Sequence, residues 1–306
     1  MKLAALLLAA SAGAAGAADL AAITSQGAGA LTLLDPATGE TAATVVLPGK
    51  PAAVAVDAAR GRILAVAVGT ARLHVFDFAG KELRQVALDG APFGVAVDPA
   101  SGLAYVSDWQ VPRAFEVDPA SGTVRRVIPV GPTPSGIAIA DGIMVTADRD
   151  ANALSLVDLA TGTTRTVAVG EHPFGVTLRQ GRAYTADVLA NTVSVVDLAA
   201  GEVVGTIPTG ERPYAVAFAG GEGFVSDQYG STVTVFDAGS LAVTDTIAVG
   251  DYPEGIAATS DGRSLVLANW FSDTVMVIDA ATHAVVREIP VPEGPRAFGA
   301  FVAARP

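Results

Sequence analysis

The feature that most constrains this chain is a repeat with a period of about forty residues. A proline, followed two residues later by Gly or Ala and then by alternating aliphatic and small residues, recurs at Pro51, Pro92, Pro134, Pro173, Pro213, Pro253 and Pro295. A second landmark, an apolar alternation ending in Asp, recurs at Asp35, Asp77, Asp118, Asp158, Asp197, Asp237 and Asp279, so both landmarks count seven. The clearest copy contains four runs: Pro173 to Leu178, Ala183 to Asp187, Thr192 to Asp197 and Glu202 to Ile207. They are short, rich in β-branched residues, period-two in pattern and separated by Gly, Asn and Asp turn chemistry, which predicts a four-stranded antiparallel meander.

A single sheet of that size cannot cover both of its faces, so the copies must stack, and a period of roughly 40 to 50 residues suits propeller blades. Two rows of small residues support this: Ala53, Gly94, Gly136, Gly175, Ala215, Gly255 and Ala297 at the second position after Pro, and Ala55, Ala96, Ala138, Thr177, Ala217, Ala257 and Gly299 at the fourth. Such rows let inner strands of adjacent blades approach, while Val54, Val95, Ile137, Val176, Val216, Ile256 and Phe298 fall on the opposite face. Beyond Pro295 there is room for one strand, and before Pro51 there are three: Ala21 to Ser25, Leu31 to Asp35 and Ala42 to Leu47. Joining them leaves no open edge. The expected fold is an all-β, seven-bladed β-propeller of four-stranded antiparallel blades, its ring closed by the C-terminal strand pairing with the N-terminal ones.

Composition narrows the function classes. The chain of 306 residues is 51% hydrophobic and 16% charged, unlike a disordered, solvating polypeptide. It has no Cys, which removes a thiol nucleophile, a disulfide framework, thiolate metal sites and a covalent c-type haem. The net charge of −12 opposes general binding to a phosphate backbone. Lys2 precedes an apolar run, Leu3 to Ala10, and small residues ending at Ala17. That is the layout of a secretory signal, too short for the ~20 residues that span a bilayer. Residues 1–17 are therefore read as a signal peptide and 18–306 as one domain, periplasmic or secreted, with no membrane span.

The segments Tyr105-Val106-Ser107-Asp108, Phe224-Val225-Ser226-Asp227 and Val266-Leu267-Ala268-Asn269 each follow a Pro-x-Gly/Ala-Val/Ile stretch and precede an Asp by ten residues. In this they resemble the YVTN-repeat family of β-propellers, over residues 20 to 306. Most copies carry Asp where that family's name has Asn, and one has Ala67. The Gly-His and Trp-Asp pairs of WD40 repeats are missing. The resemblance implies a propeller fold and leaves several functions open: exported binding protein, surface-layer protein, or quinoprotein-like or d1-haem-type enzyme propeller.

Antiparallel pairing places each Pro and the Asp or Asn ending the second strand on one rim, the candidate binding face. That Asp row is Ser25, Ala67, Asp108, Asp148, Asp187, Asp227 and Asn269, with Trp109, Arg149, Gln228, Tyr229 and Trp270 around it. Its carboxylates are expected to accept backbone N–H bonds within their own turns. The positions flanking the prolines break the repeat: Phe93, Phe174, Tyr214, Glu254 and Arg296 follow a Pro, whereas His172, Arg212 and Tyr252 precede one. Together they are expected to form an asymmetric rim cup for a ligand, with Tyr214 and Arg212 as surface groups. His74 replaces an aliphatic residue in a strand and His283 lies in a turn, so no three-histidine metal site can be assembled. The alternate oxygens of Asp148-Arg149-Asp150-Ala151-Asn152 lack the Gly and distant Glu of an EF-hand loop, and read as a hairpin turn. No phosphate loop, nucleophile elbow or His-Glu-x-x-His helix is present.

The reading is a monomeric, non-catalytic ligand- or protein-binding propeller whose partner is a small molecule or a periplasmic protein, with no metal and no cofactor. The competing readings are a lactonase-like hydrolase with His172 as base, a cofactor-carrying oxidoreductase, and single-stranded DNA binding, which the acidic charge opposes.

Overall fold

The computed structural model describes residues 18–305, so the segment read as a signal peptide lies outside the described residues. Seven four-stranded antiparallel sheets make up the fold. Six are consecutive in the chain, over 51–87, 92–129, 134–168, 173–208, 213–248 and 253–290. The seventh joins Asp19–Ser25, Ala30–Leu34 and Thr41–Val46 to an innermost strand, Val302–Ala304, from the other end of the chain. The closing register is Asp19↔Ala304, Leu20↔Ala303 and Ala21↔Val302.

The small-residue rows do what the ring requires. A side chain at Gly136 would drive into the carbonyl of Phe174 on the next inner strand, and one at Gly175 into the carbonyl of Tyr214. Second and third strands are buried on both faces, because each blade is covered by two neighbours: Ala183, Tyr184, Val193, Val195 and Val196 are all essentially inaccessible. Outermost strands have solvent on one side and keep a single buried anchor, such as Ile207 or Ile247. Each such aliphatic side chain withdrawn from water contributes about 1.5–3 kcal/mol.

One expectation fails in detail. The last strand does not run continuously from Pro295. Pro295 makes only an isolated bridge to Ser25, and pairing resumes at Val302. Between them the chain bulges toward the axis, where the Phe298 carbonyl accepts the Val54 N–H at 2.8 Å and the Ala300 carbonyl accepts the Val56 N–H at 2.8 Å. Gly299, at φ 119°, supplies a backbone conformation that a side chain would resist. The bulge swings Phe298 off the blade face and into the central channel.

Candidate functional site

The two landmarks of the repeat meet as expected. Pro92 pairs with Asp108, Pro134 with Asp148, Pro173 with Asp187, Pro213 with Asp227 and Pro253 with Asn269. One rim therefore carries all of them.

The aspartates there do something other than cap their own turns. Asp187 accepts hydroxyl bonds from Thr192 at 3.1 Å and Ser194 at 2.7 Å, and Asp227 from Thr232 at 3.0 Å and Thr234 at 2.7 Å. Asp148 accepts from Thr146 at 2.7 Å and Ser155 at 2.5 Å. Each carboxylate thus pins neighbouring strands inside the blade, and only Asp108, which accepts the Gln110 and Val111 N–H groups, keeps the expected turn role. Burial pushes Asp148, Asp187 and Asp227 up from 3.8 to about 6, against the pull of their hydroxyl donors. The true turn caps are the blade-terminal aspartates: Asp118, Asp158 and Asp279 accept the N–H groups two and three residues on.

Inside the ring the channel is blocked midway. Phe298 packs against Phe93, Phe174 and Tyr214 with ring centroids 5.6, 5.3 and 5.3 Å away, and Trp109 closes on Phe93 at 4.6 Å. This aromatic plug divides two cavities. Above it, on the proline rim, is a cup of about 240 Å³. Below it is a wider funnel of about 520 Å³ lined by successive inner-strand stretches, 95–97, 136–139, 175–180, 215–218 and 256–258, apolar but for Thr177, Arg179 and Gln180.

The cup is lined by Arg149, His172, Arg212 and Arg296 together with Phe174, Tyr214, Gln228 and Tyr252. Three of these are aimed by backbone in the left-handed region: His172 at φ 55°, Arg212 at 58° and Tyr252 at 59°. The turns are held from outside, since Asn152 Oδ1 accepts the His172 N–H at 2.9 Å and Asn191 Oδ1 the Arg212 N–H at 2.9 Å.

Beneath Arg296 lies a buried ion pair. Glu254, 1% exposed, accepts from Arg296 Nε at 2.6 Å and Nη2 at 3.2 Å, and from Gln228 Nε2 at 2.8 Å. Burial pushes the Glu254 carboxyl up, opposed by the guanidinium; burial also works against the Arg296 charge, but the carboxylate outweighs it and holds that group above its ordinary range. Arg296 further spreads over Trp270, 4.8 Å from its ring centre. Tyr214 is 2% exposed, and its hydroxyl, close enough to Glu254 and Arg296 to feel their charge, makes no hydrogen bond of good geometry.

Comparison with known proteins yields fold likeness alone. No protein-family model matches the chain, and no curated protein does. Solved structures match well. Hydrazine synthase of Kuenenia stuttgartiensis is 18% identical with a TM-score of 0.73, over 83% of this chain and 90% of that one. A functionally unknown protein from Desulfotomaculum acetoxidans is 14% identical with a TM-score of 0.79, over 92% of this chain and 99% of that one. Dihydro-heme d1 dehydrogenase NirN in complex with DHE is 16% identical with a TM-score of 0.67, over 91% of this chain and 74% of that one. The chain is a β-propeller.

Of the residues expected to form the cup, the structure brings together His172, Phe174, Arg212, Tyr214, Tyr252 and Arg296. Phe93 belongs to the plug beneath, and Glu254 is sealed under Arg296, so neither lines the cavity. Tyr214 is a core residue rather than the surface group expected, because residues following the prolines point inward where the inner strands converge. Arg149 and Gln228 line the cup although they were placed only near the rim. Among the described residues, no hydrogen bond joins the His172 ring to a carboxylate, and Glu254 is already committed to Arg296 and Gln228. The candidate calcium loop is a short 3-10 turn, Arg149–Ala151, closed by an Arg149–Asp150 ion pair of 2.8 Å, as a hairpin turn would be. No group of three or more metal-ligating side chains gathers among the described residues, and none of their helices is long and apolar enough to cross a membrane.

Proposed function

We propose that this propeller is a non-catalytic binding protein of an exported compartment, related to YVTN-repeat propellers, which holds a small molecule in the proline-rim cup. One observation carries the reading: the repeat is uniform along its inner strands and breaks at the residues flanking the prolines, and side chains from those positions converge on a single cavity. A scaffold needs no such convergence. The plug gives the cup a rigid floor, so binding needs no collapse of the channel, and pre-organisation of this kind lowers the ordering cost of holding a ligand.

An enzymatic role has one support, the fold shared with two neighbours whose names are those of enzymes. Fold likeness does not carry chemistry from one site to another. The discriminating measurement is native mass spectrometry of the chain purified from its exporting host. A retained small molecule that leaves unchanged on mild denaturation supports a binding protein. Conversion of that molecule by the chain, abolished in His172→Ala, would replace this reading with an enzymatic one.

A further inference from the structure

Resting on the binding role of the cup, we propose that its ligand is a small organic carboxylate with a flat, apolar body. The charge of the cavity is anomalous. In a chain of net charge −12, three arginines, Arg149, Arg212 and Arg296, and the imidazole of His172 line one cavity of about 240 Å³. Two are already neutralised, Arg149 by Asp150 at 2.8 Å and Arg296 by Glu254 at 2.6 Å. Arg212, which lies over the Tyr229 ring 5.5 Å from its centre, and His172 have no side-chain ion pair or hydrogen bond among the described residues. Their backbones are nonetheless fixed by Asn191 and Asn152, so two donors are held at the cup with no protein acceptor.

The rest of the lining narrows the ligand further. The Tyr214 hydroxyl is buried against the Glu254–Arg296 pair, so the donors open to a ligand are those of Arg212 and His172. A guanidinium presents a planar fork that matches a carboxylate. The walls are aromatic, from Phe174 and Tyr252, and suit a flat body. Outside the cup the exposed Glu171, Glu211 and Asp251 follow one another round the rim, which repels an extended polyanion while leaving the interior open to a small one.

The chain carries its own reporter. Its only two tryptophans, Trp109 and Trp270, both border the site: Trp109 lies 5.7 Å from Phe174 and 4.4 Å from the Arg149 guanidinium, and Trp270 lies 4.8 Å from that of Arg296. Tryptophan emission is titrated with benzoate, with its neutral counterpart benzamide, and with inorganic phosphate. Benzoate is expected to saturate the response, with benzamide and phosphate each at least about tenfold weaker, the scale of one charge-assisted bond. Binding should weaken as salt is raised through roughly 0.01 to 1 M. Arg212→Asn keeps the left-handed backbone and removes the fork; it should weaken benzoate about tenfold or more while leaving the melting curve in place, and Arg212→Lys should recover part of the loss.

Benzamide binding as well as benzoate would overturn the carboxylate and leave the cup reading standing. Phosphate matching benzoate would overturn the flat body. Silence toward all three would overturn the inference as a whole, and the cup reading would then stand or fall separately on the mass retained by the native protein.

Discussion

At one rim of this propeller three aspartates that end second strands are buried and lean on hydroxyls; at the other the blade-terminal aspartates are part-exposed and cap turns. Asp148, Asp187 and Asp227, on the proline rim, are held up to about 6 by burial. Asp118, at the opposite rim, is held below 3.8 chiefly by the N–H groups of Ser121 and Ala120, and Asp279 chiefly by that of Thr282. The mouths differ in the same sense. The proline-rim cup is small and cationic, with a buried ion pair beneath it, whereas the funnel is wide and mainly aliphatic. One strand sequence builds both ends, so the asymmetry comes from a few positions. The buried carboxylates of the proline rim come from the repeat itself, and only the Glu254–Arg296 pair sits where the repeat is broken; at the opposite end the buried exception is Asp57, paired with Arg62 at 2.6 Å.

The sharpest way to break this contrast is to unpair Arg296. Arg296→Ala leaves the Glu254 carboxylate buried without its cation, and the expected cost is about 3–5 kcal/mol in denaturant unfolding. Replacing both partners, Glu254→Leu with Arg296→Met, should recover most of it, since an apolar pair carries no stranded charge. At the funnel, Thr177→Val removes one hydroxyl bond, 2.7 Å to the Val216 carbonyl, and should cost about 1 kcal/mol. Equal losses at both mouths would show that the pair is no more than ordinary packing.

The next effect is in pH. A carboxyl raised from 3.8 to about 6 binds a proton more tightly in the folded chain than in the unfolded one. Its contribution is fully present below about 3.8 and is lost as pH rises through about 6, so the protein should be more stable at pH 5 than at pH 7.5. Each of the three groups accounts for on the order of 2–3 kcal/mol at full ionisation. Asp187→Asn should flatten its share of that slope, and the chain already tolerates the change, because Asn269 occupies the equivalent place and donates to Thr274 at 3.3 Å. A melting temperature that climbs steadily from pH 5 to 7.5 would contradict the burial argument.

Spacing made the ring legible in advance, because a closed repeat fixes which landmarks meet whatever the side chains are. Pro173 opposite Asp187 follows from antiparallel pairing alone. Side-chain direction was less accessible. Tyr214 read as a surface group of the rim cup, yet the convergence of inner strands turns that position inward. Phe298 fell on a regular face only if the last strand stayed regular, and the bulge from 296 to 301 moved it to the axis. Two signals were present and unread. Hydroxyl residues stand five and seven places after Asp187 and Asp227, where the third strand returns past the carboxylate. Glu254 and Arg296 hold the same place in successive repeats, so neighbouring blades must bring their opposite charges together.

The smallest expected effect is the most direct test of what separates the rims. Asp118 accepts the Ala120 N–H at 2.9 Å and the Ser121 N–H at 3.3 Å in the open. Its folded-state pKa lies below 3.8, so its contribution is present above that pH and lost as acid takes the solution through the lowered value. This is the reverse of Asp187. Asp118→Ala should cost under about 1 kcal/mol near neutrality, because water replaces the lost acceptor. Asp118→Asn should cost less still, as the amide oxygen caps the same two donors, and it should leave the slope between pH 5 and 7.5 untouched. If that substitution instead flattened the slope as Asp187→Asn does, the titration would belong to aspartates in general, and the difference between a buried rim and an exposed one would have no thermodynamic content.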